Sequence, residues 1–280
     1  MKTAKTIQEI RSIRNQMTGR VGFVPTMGYL HAGHLSLVKA ARNDCDHVIV
    51  SIYINPTQFA PNEDLSAYPR DLDHDLLILE EAGTDLVWLP DDETMYPESF
   101  QTWVTVQDLT QPLEGQYRPE HFRGVCTIVA KLFNVVQPQR AYFGQKDAQQ
   151  AAVLKRMTLD LNFPIEMVVC PIVREMDHLA MSSRNAYLTP DQRQAATVLS
   201  RALFAARDLF QAGETNTAAI LARMQIIIQA EPLAKIQYLS CADPITLLEI
   251  DSIKDQALIS LAVYFGKTRL IDNLLLKKVD

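Results

Sequence analysis

The chain is poor in cysteine: four among 280 residues, Cys45, Cys126, Cys170 and Cys241, with no CxxC pair and no Cys/His cluster at zinc-site spacing. That scatter argues against a disulfide framework and a structural zinc site, and it fits a reducing compartment. No apolar run is long enough to span a bilayer. Residues 1–20 are polar and charged, without the apolar core of a secretory signal, so a cytoplasmic chain is expected. Positive charge is in deficit, with 27 Lys and Arg against 33 Asp and Glu and a formal net charge of -6. A sequence-independent nucleic-acid binder would need the opposite balance; a local basic pocket for a phosphorylated ligand would not. Internal repeats and low-complexity tracts are also missing.

What is present is ordinary globular material, 48% apolar and 21% charged. The length suits one large domain with a smaller one. Apolar, β-branched runs at residues 21–25, 47–54, 85–89, 140–143 and 165–169 read as strands. Helical patterns at 35–44, 71–82, 125–136 and 147–161 alternate with them. Such alternation predicts an α/β fold: a Rossmann-like, doubly wound parallel sheet with helices on both faces over residues 1–174. The pattern then changes. Thr189-Pro190-Asp191-Gln192 is a helix start, with Thr as cap, Pro at the first position and Gln three residues on. One helix is expected from there to about residue 212, ending at Gly213, and a second over 217–230. Strands follow at 236–239, 257–265 and 268–275, the last two joined across Gly266-Lys267. Residues 175–280 are therefore expected to form a smaller α+β domain, placed to act as a closing lid.

The most informative stretch runs from Pro25 to His34, PTMGYLHAGH, between the first long strand and its helix. Ligands of open α/β sheets bind beyond the carboxyl ends of the strands, so a site is expected here. Gly28 and Gly33 let the backbone turn and approach a ligand, and the helix start offers N–H groups and a positive dipole end to phosphate. His31 and His34, three apart, can both address one anion, donating hydrogen bonds and, if protonated, offsetting charge on pyrophosphate. The plain alternative is two surface histidines that fall together by chance. A P-loop is excluded, because His34-Leu35 stands where Lys-Ser/Thr is required, and GxGxxG is missing.

Three further groups carry chemistry. In Gly144-Gln145-Lys146-Asp147 a short strand ends before a helix; Lys146 supplies a point charge for phosphates and Asp147 can accept from ribose hydroxyls, unless it is simply a helix cap. Met181-Ser182-Ser183-Arg184 offers two hydroxyls and a guanidinium to a triphosphate, or is an ordinary interdomain loop. Gln58 and Gln150 are neutral amides that both donate and accept, as a hydroxy acid requires, although a lone Gln is usually just surface. Asn55, Arg118 and His121 are further pocket candidates.

The HxGH turn resembles that of the nucleotidylyltransferase and class I aminoacyl-tRNA synthetase superfamily. Seven blocks in order, PTMGYLHAGHLSLV, VSIYINPTQF, NEDLSAYPRDL, RPEHFRGV, AYFGQKDAQQ, DLNFP and VREMDHLAMSSRNAYL, are together similar to the pantothenate synthetases over essentially the whole chain. The resemblance implies an ATP-dependent ligase joining pantoate to β-alanine through an acyl-adenylate. It implies an ATP site of Met27, Gly28, Tyr29, Leu30, His31, Ala32, Gly33, His34, Gly144, Gln145, Lys146, Asp147, Val173 (through its backbone, to adenine), Met181, Ser182, Ser183 and Arg184. Gln58 and Gln150 would hold pantoate, with Gln58 also near β-alanine; His34 would be the catalytic residue. Magnesium is expected with ATP, and no protein ligand is named for it. A homodimer is also implied. The chain departs from the family at Gln145, often Glu; at His178, where a glycine is common; and at His74, within the acidic stretch 73–75 considered for metal contact. A plain nucleotidylyltransferase would want extra basic residues for its acceptor and would leave the Gln58/Gln150 pair unexplained. A non-enzymatic nucleotide sensor would not need the Met181–Arg184 segment. A tRNA synthetase would need an anticodon-binding domain for which the chain has no room.

Overall fold

The computed structural model describes residues 1–61 and 63–278; Asn62, which opens the NEDLSAYPRDL block, lies outside them. In chain order the elements are β1 (Lys2–Ala4), α1 (Ile7–Arg14), β2 (Val21–Thr26), α2 (Ala32–Asp44), β3 (His47–Ile52), α3 (Leu72–Glu81), β4 (Leu86–Trp88), α4 (Asp92–Met95), α5 (Glu114–Tyr117) and α6 (His121–Val136). They continue with β5 (Arg140–Gly144), α7 (Ala148–Asp160), β6 (Glu166–Cys170), α8 (Pro190–Ala195), α9 (Val198–Gln211), α10 (Thr217–Gln229), β7 (Ala234–Ala242), β8 (Gln256–Phe265) and β9 (Thr268–Lys277). The chain divides into two compact units, residues 1–145 with 150–171, and residues 146–149 with 172–280.

The first unit is built on a six-stranded parallel sheet in the order β1-β4-β3-β2-β5-β6. Alternation along the strands explains its two cores. Phe23, Ile49, Leu86 and Trp88 pack with Val125, Val129 and Phe133 of α6 and with Leu154 of α7. Their neighbours Val24, Val48, Val50 and Val87 join Leu37, Val38 and Ala41 of α2 and Leu79 of α3 in a second cluster. Strands buried on both faces are why the sequence reads as continuous apolar runs. Strand order reverses at β2, which has β3 on one side and β5 on the other. The turn after β2 therefore opens at the switch point of the sheet, where an α/β fold places its ligand.

The sequence leaves β1 and α1 unassigned, and the reason is local. β1 is three residues long with only Ala4 buried, and α1 buries only Ile10 among polar neighbours. A Thr6/Glu9 capping box fixes where that helix starts.

The second unit packs α9 and α10 on an antiparallel sheet in the order β7-β8-β9, around Leu199, Leu203, Ile220, Met224, Ile259, Leu261 and Val263. The single helix expected after Thr189 is two. The Thr189/Gln192 capping box is present, but the chain tightens at Ala196-Thr197: the Thr197 N–H and Oγ1 both donate to the Gln194 carbonyl, at 3.3 and 2.8 Å. A hydroxyl competing for a carbonyl three residues back interrupts the helix there.

Candidate active site

The turn after β2 is held by its own side chains and by one carboxylate. Thr26 Oγ1 donates to the Ser51 carbonyl (2.8 Å) and accepts from the Gly28 N–H (3.3 Å). Gly28 and Tyr29 have positive φ, 82° and 49°, so the backbone turns sharply twice in succession. The Asp75 carboxylate, from the first turn of α3, accepts the next two amides: Tyr29 N–H at 2.8 Å and Leu30 N–H at 2.7 Å. Burial pushes its carboxyl above the ordinary range, and the two amides oppose that shift. Gly33, expected to bend the chain, lies instead in the first turn of α2, so the turning falls to Gly28 and Tyr29.

The histidines cap that helix reciprocally. His31 Nδ1 accepts the Gly33 N–H at 3.1 Å, His34 Nδ1 accepts the His31 N–H at 3.3 Å, and the rings lie 4.1 Å apart. A ring nitrogen that accepts cannot carry the proton, so each neutral ring carries it on Nε2. Two amides at the helix start are satisfied by imidazole nitrogens, and the opposite ring nitrogens are set as donors.

β3 ends at Ile52, and the chain passes into a short 3-10 turn, Pro56–Gln58. Asn55, 1% exposed, organises it. Its Nδ2 donates to Gln58 Oε1 (3.0 Å) and to the Gly124 carbonyl (3.2 Å), while its Oδ1 accepts from Thr57 Oγ1 (2.9 Å) and Tyr96 OH (2.8 Å). Asn55 is thus spent on the fold, and what it orients is the Gln58 amide, whose Nε2 faces Met27 Sδ at 3.1 Å.

Arg118 and His121 likewise serve Gln58. The Gln58 carbonyl accepts from Arg118 (3.3 Å) and from His121 Nδ1 (2.8 Å), and Arg118 donates to His121 Nε2 (3.2 Å). Burial, then the Arg118 charge, lower the His121 pKa to about 4, so the ring is neutral with its proton on Nδ1. Glu63 closes the network with a two-pronged pair to Arg118 at 2.5 and 2.8 Å. Burial alone would raise the Glu63 carboxyl; the hydrogen bond and charge of Arg118 outweigh it and hold the group below its usual value. Gly124 of α6 allows the close approach, since a Cβ there would meet the Thr57 carbonyl oxygen at 2.5 Å.

β5 ends at Gly144, and a 3-10 turn, Gln145–Asp147, leads into α7, where Gln150 is half-buried. Within the second unit, Lys146 Nζ lies 3.7 Å from Asp147 Oδ1, and the Lys146 carbonyl accepts from Asn273 Nδ2 at 2.8 Å. The adjacent Asp272, 2% exposed, takes Arg174 in two bonds of 2.6 and 3.0 Å. Arg174 also bridges to Ala180, and the Met181 N–H donates to the Val173 carbonyl at 3.0 Å. Val173 and Met181 are thereby brought together. Ser182 Oγ then caps the 3-10 turn Ser183–Tyr187 by accepting the Arg184 N–H at 3.3 Å, and Ser183 is buried. His178 has φ 71°, a left-handed conformation that favours glycine and explains the glycine common there.

Among proteins of known kind, the pantoate-beta-alanine ligase family model matches residues 2–275. The chain belongs to the pantoate-beta-alanine ligase family.

Family members resemble it end to end. The pantothenate synthetase of Roseiflexus castenholzii is 59% identical over 277 residues, 99% of this chain and 100% of that one. The one from Chloroflexus aurantiacus is 54% identical over 99% of each. A crystal structure of pantothenate synthetase from Thermus thermophilus aligns with a TM-score of 0.94 at 49% identity, covering 98% of this chain and 99% of that one. The pantoate-beta-alanine ligase from Francisella tularensis, solved with beta-gamma ATP and β-alanine, aligns at 0.80 with 34% identity, covering 98% and 97%.

Within this family frame, Asp75, Glu63 and Gly124 are the residues that sequence reasoning missed. No metal ligand was named in the acidic stretch 73–75, and its Asp75 carboxylate holds two backbone amides. Gly124 sits inside the RPEHFRGV block, where a glycine in an otherwise good helix was the available signal. Among the described residues no group of three or more His, Cys, Asp or Glu is arranged to hold a metal ion. No helix among them is long and apolar enough to cross a membrane.

Proposed function

We propose that the chain condenses (R)-pantoate with β-alanine, consuming ATP and releasing AMP and diphosphate through a pantoyl-adenylate, as a step toward pantothenate and coenzyme A. The observation that carries this reading is the reciprocal histidine cap at the switch point of the sheet, beside a glutamine amide fixed by Asn55. Family membership supports it. The turn from Met27 to His34 would receive the nucleotide, with Ala32 and Gly33 at the helix start and the Nε2–H donors of His31 and His34 on phosphate oxygens. Gly144, Gln145, Lys146 and Asp147 would take phosphate and ribose, Val173 the adenine through its backbone. Met181, Ser182, Ser183 and Arg184 would close on the triphosphate, with the second unit acting as lid. Gln58 and Gln150 would hold pantoate.

In the first step the pantoate carboxylate oxygen bonds to the α-phosphorus while the bond to the bridging oxygen breaks and diphosphate leaves. No proton need be removed from a carboxylate, so position and charge stabilisation supply most of the rate. In the second, the neutral β-alanine amine attacks the activated carbonyl, AMP departs with the bonding pair of the acyl–oxygen bond, and the proton lost from the amine passes to solvent. His34 is the residue proposed to stabilise charge in these steps. Magnesium arrives with ATP, held by its phosphates and water as part of the substrate. The active form is proposed to be a cytoplasmic homodimer.

The test is AMP formation by the purified protein with Mg-ATP, pantoate and β-alanine, each omitted in turn. AMP release that requires all three, with pantoate alone supporting ATP–pyrophosphate exchange, is the expected result. ATP binding without turnover under every combination would replace the ligase with a nucleotide sensor.

A further inference from the structure

We infer that Asp75 is the positioning residue of the nucleotide turn, its carboxylate standing permanently in the anion concavity that the amides of Tyr29 and Leu30 form. This rests on the ligase reading for its catalytic consequence, and on geometry for the rest. Successive backbone N–H groups in a tight turn converge on an anion. Here the anion is the protein's own: the two oxygens of one carboxylate, 1% exposed, each take one of two consecutive amides at 2.8 and 2.7 Å. The following residue is His31, the helix cap, whose ring holds the Gly33 amide while its own amide holds His34. Asp75 therefore fixes the segment from which both imidazoles hang. ATP is met by the imidazoles and the helix start, not by the amides of Tyr29 and Leu30.

Several details agree with this role. Each amide goes to a different oxygen, and a carboxamide would put an NH2 donor where one of those oxygens stands. The dipole at the start of α3 favours the ionised form. A Cβ at Gly28 would meet Asp75 Oδ2 at 3.1 Å and Ile52 Cγ2 at 3.0 Å, so the turn is built tightly around that oxygen.

The experiment compares Asp75→Asn with wild type in pantoate-dependent ATP–pyrophosphate exchange, with ATP and Mg²⁺ varied separately and thermal melting recorded alongside. The amide of Asn would face a backbone N–H and break one of the two bonds. Exchange kcat is expected to fall on the order of 100-fold, the scale of a roughly 1 Å misplacement of reacting groups. KM for ATP and the half-saturating Mg²⁺ concentration should move by less than about threefold, because the bound ground state keeps its contacts. A rate restored by excess Mg²⁺ would make Asp75 a metal ligand and overturn the inference. So would wild-type kinetics with only a lowered melting temperature, the mark of a mere brace. Backbone amide exchange in the wild-type protein decides the matter without a variant: slow exchange at Tyr29 and Leu30 supports it, exchange at the rate of an open loop overturns it. Wild-type protein inactive in the assay with those amides protected would sink the ligase reading while leaving the Asp75 turn in place.

Discussion

An imidazole whose Nδ1 accepts a backbone proton has one tautomer left when neutral, and both His31 and His34 are in that state. On the proposed reading their use to a nucleotide would be directional: Nε2–H donors would be held in place before ligand arrives, so little reorganisation would be needed as charge develops. His34→Ala is expected to cut turnover by about 100- to 1000-fold, the scale of removing one preorganised donor. ATP binding, measured by calorimetry, should weaken far less; equal losses in both would remove the catalytic role. His121 contrasts with this pair. Its pKa is lowered to about 4, chiefly by burial, so between that value and the ordinary 6.5 the unfolded chain binds a proton that the folded chain refuses. The contribution of His121 to stability is therefore fully present above pH 6.5 and lost as pH falls toward 4, by roughly 3 kcal/mol. Urea midpoints across that window should be flatter in His121→Gln. The histidine pair was legible because two HxGH residues and a glycine fall in a strand-to-helix turn. The service of Arg118 and His121 to the Gln58 carbonyl was not, because a bond spanning some sixty residues leaves no local pattern.

Elements place these residues, and α6 is placed closely against the Pro56–Gln58 turn. Asn55 donates to the Gly124 carbonyl, and a Cβ at Gly124 would meet the Thr57 carbonyl oxygen at 2.5 Å and the Gln58 nitrogen at 2.8 Å. Backbone cannot swing aside as a side-chain end can. Gly124→Ala should gain helix propensity yet lose about 1–3 kcal/mol net through overpacking. Displacing the turn also moves the Gln58 amide, so KM for pantoate should rise about tenfold or more while ATP affinity stays near wild type; unchanged pantoate kinetics would mean the turn does not set the pocket. At this scale the sequence was readable wherever periodicity and caps agreed. Asp71 and Ala82 bound α3 as the pattern indicated, and the Thr189 capping box stands at the start of α8. It was unreadable where one residue overrode the pattern, as Thr197 does between α8 and α9.

Across the whole molecule, two cores of different build carry one chain. The parallel sheet of the first unit buries aromatic and β-branched residues on both faces, including Trp88; the second unit packs two helices on one face of a hairpin-built sheet. The change of periodicity puts the expected boundary after residue 174, whereas residues 146–149, grouped with the second unit, carry no such signal: the Lys146 carbonyl accepts from Asn273, 127 residues on. The second unit has a vulnerable point in the buried pair of Arg174 and Asp272, because truncating one partner strands the other charge away from water. Asp272→Ala should destabilise that unit by about 3–5 kcal/mol. Both tryptophans of the chain, Trp88 and Trp103, lie in the first unit, so their fluorescence reports that unit while far-ultraviolet dichroism reports both. In the variant, dichroism is expected to fall at lower temperature than fluorescence, separating the melting of the two cores. Coincident curves, both shifted down, would instead show that the two cores unfold as one cooperative body and that damage at Asp272 reaches the unit that contains His31 and His34.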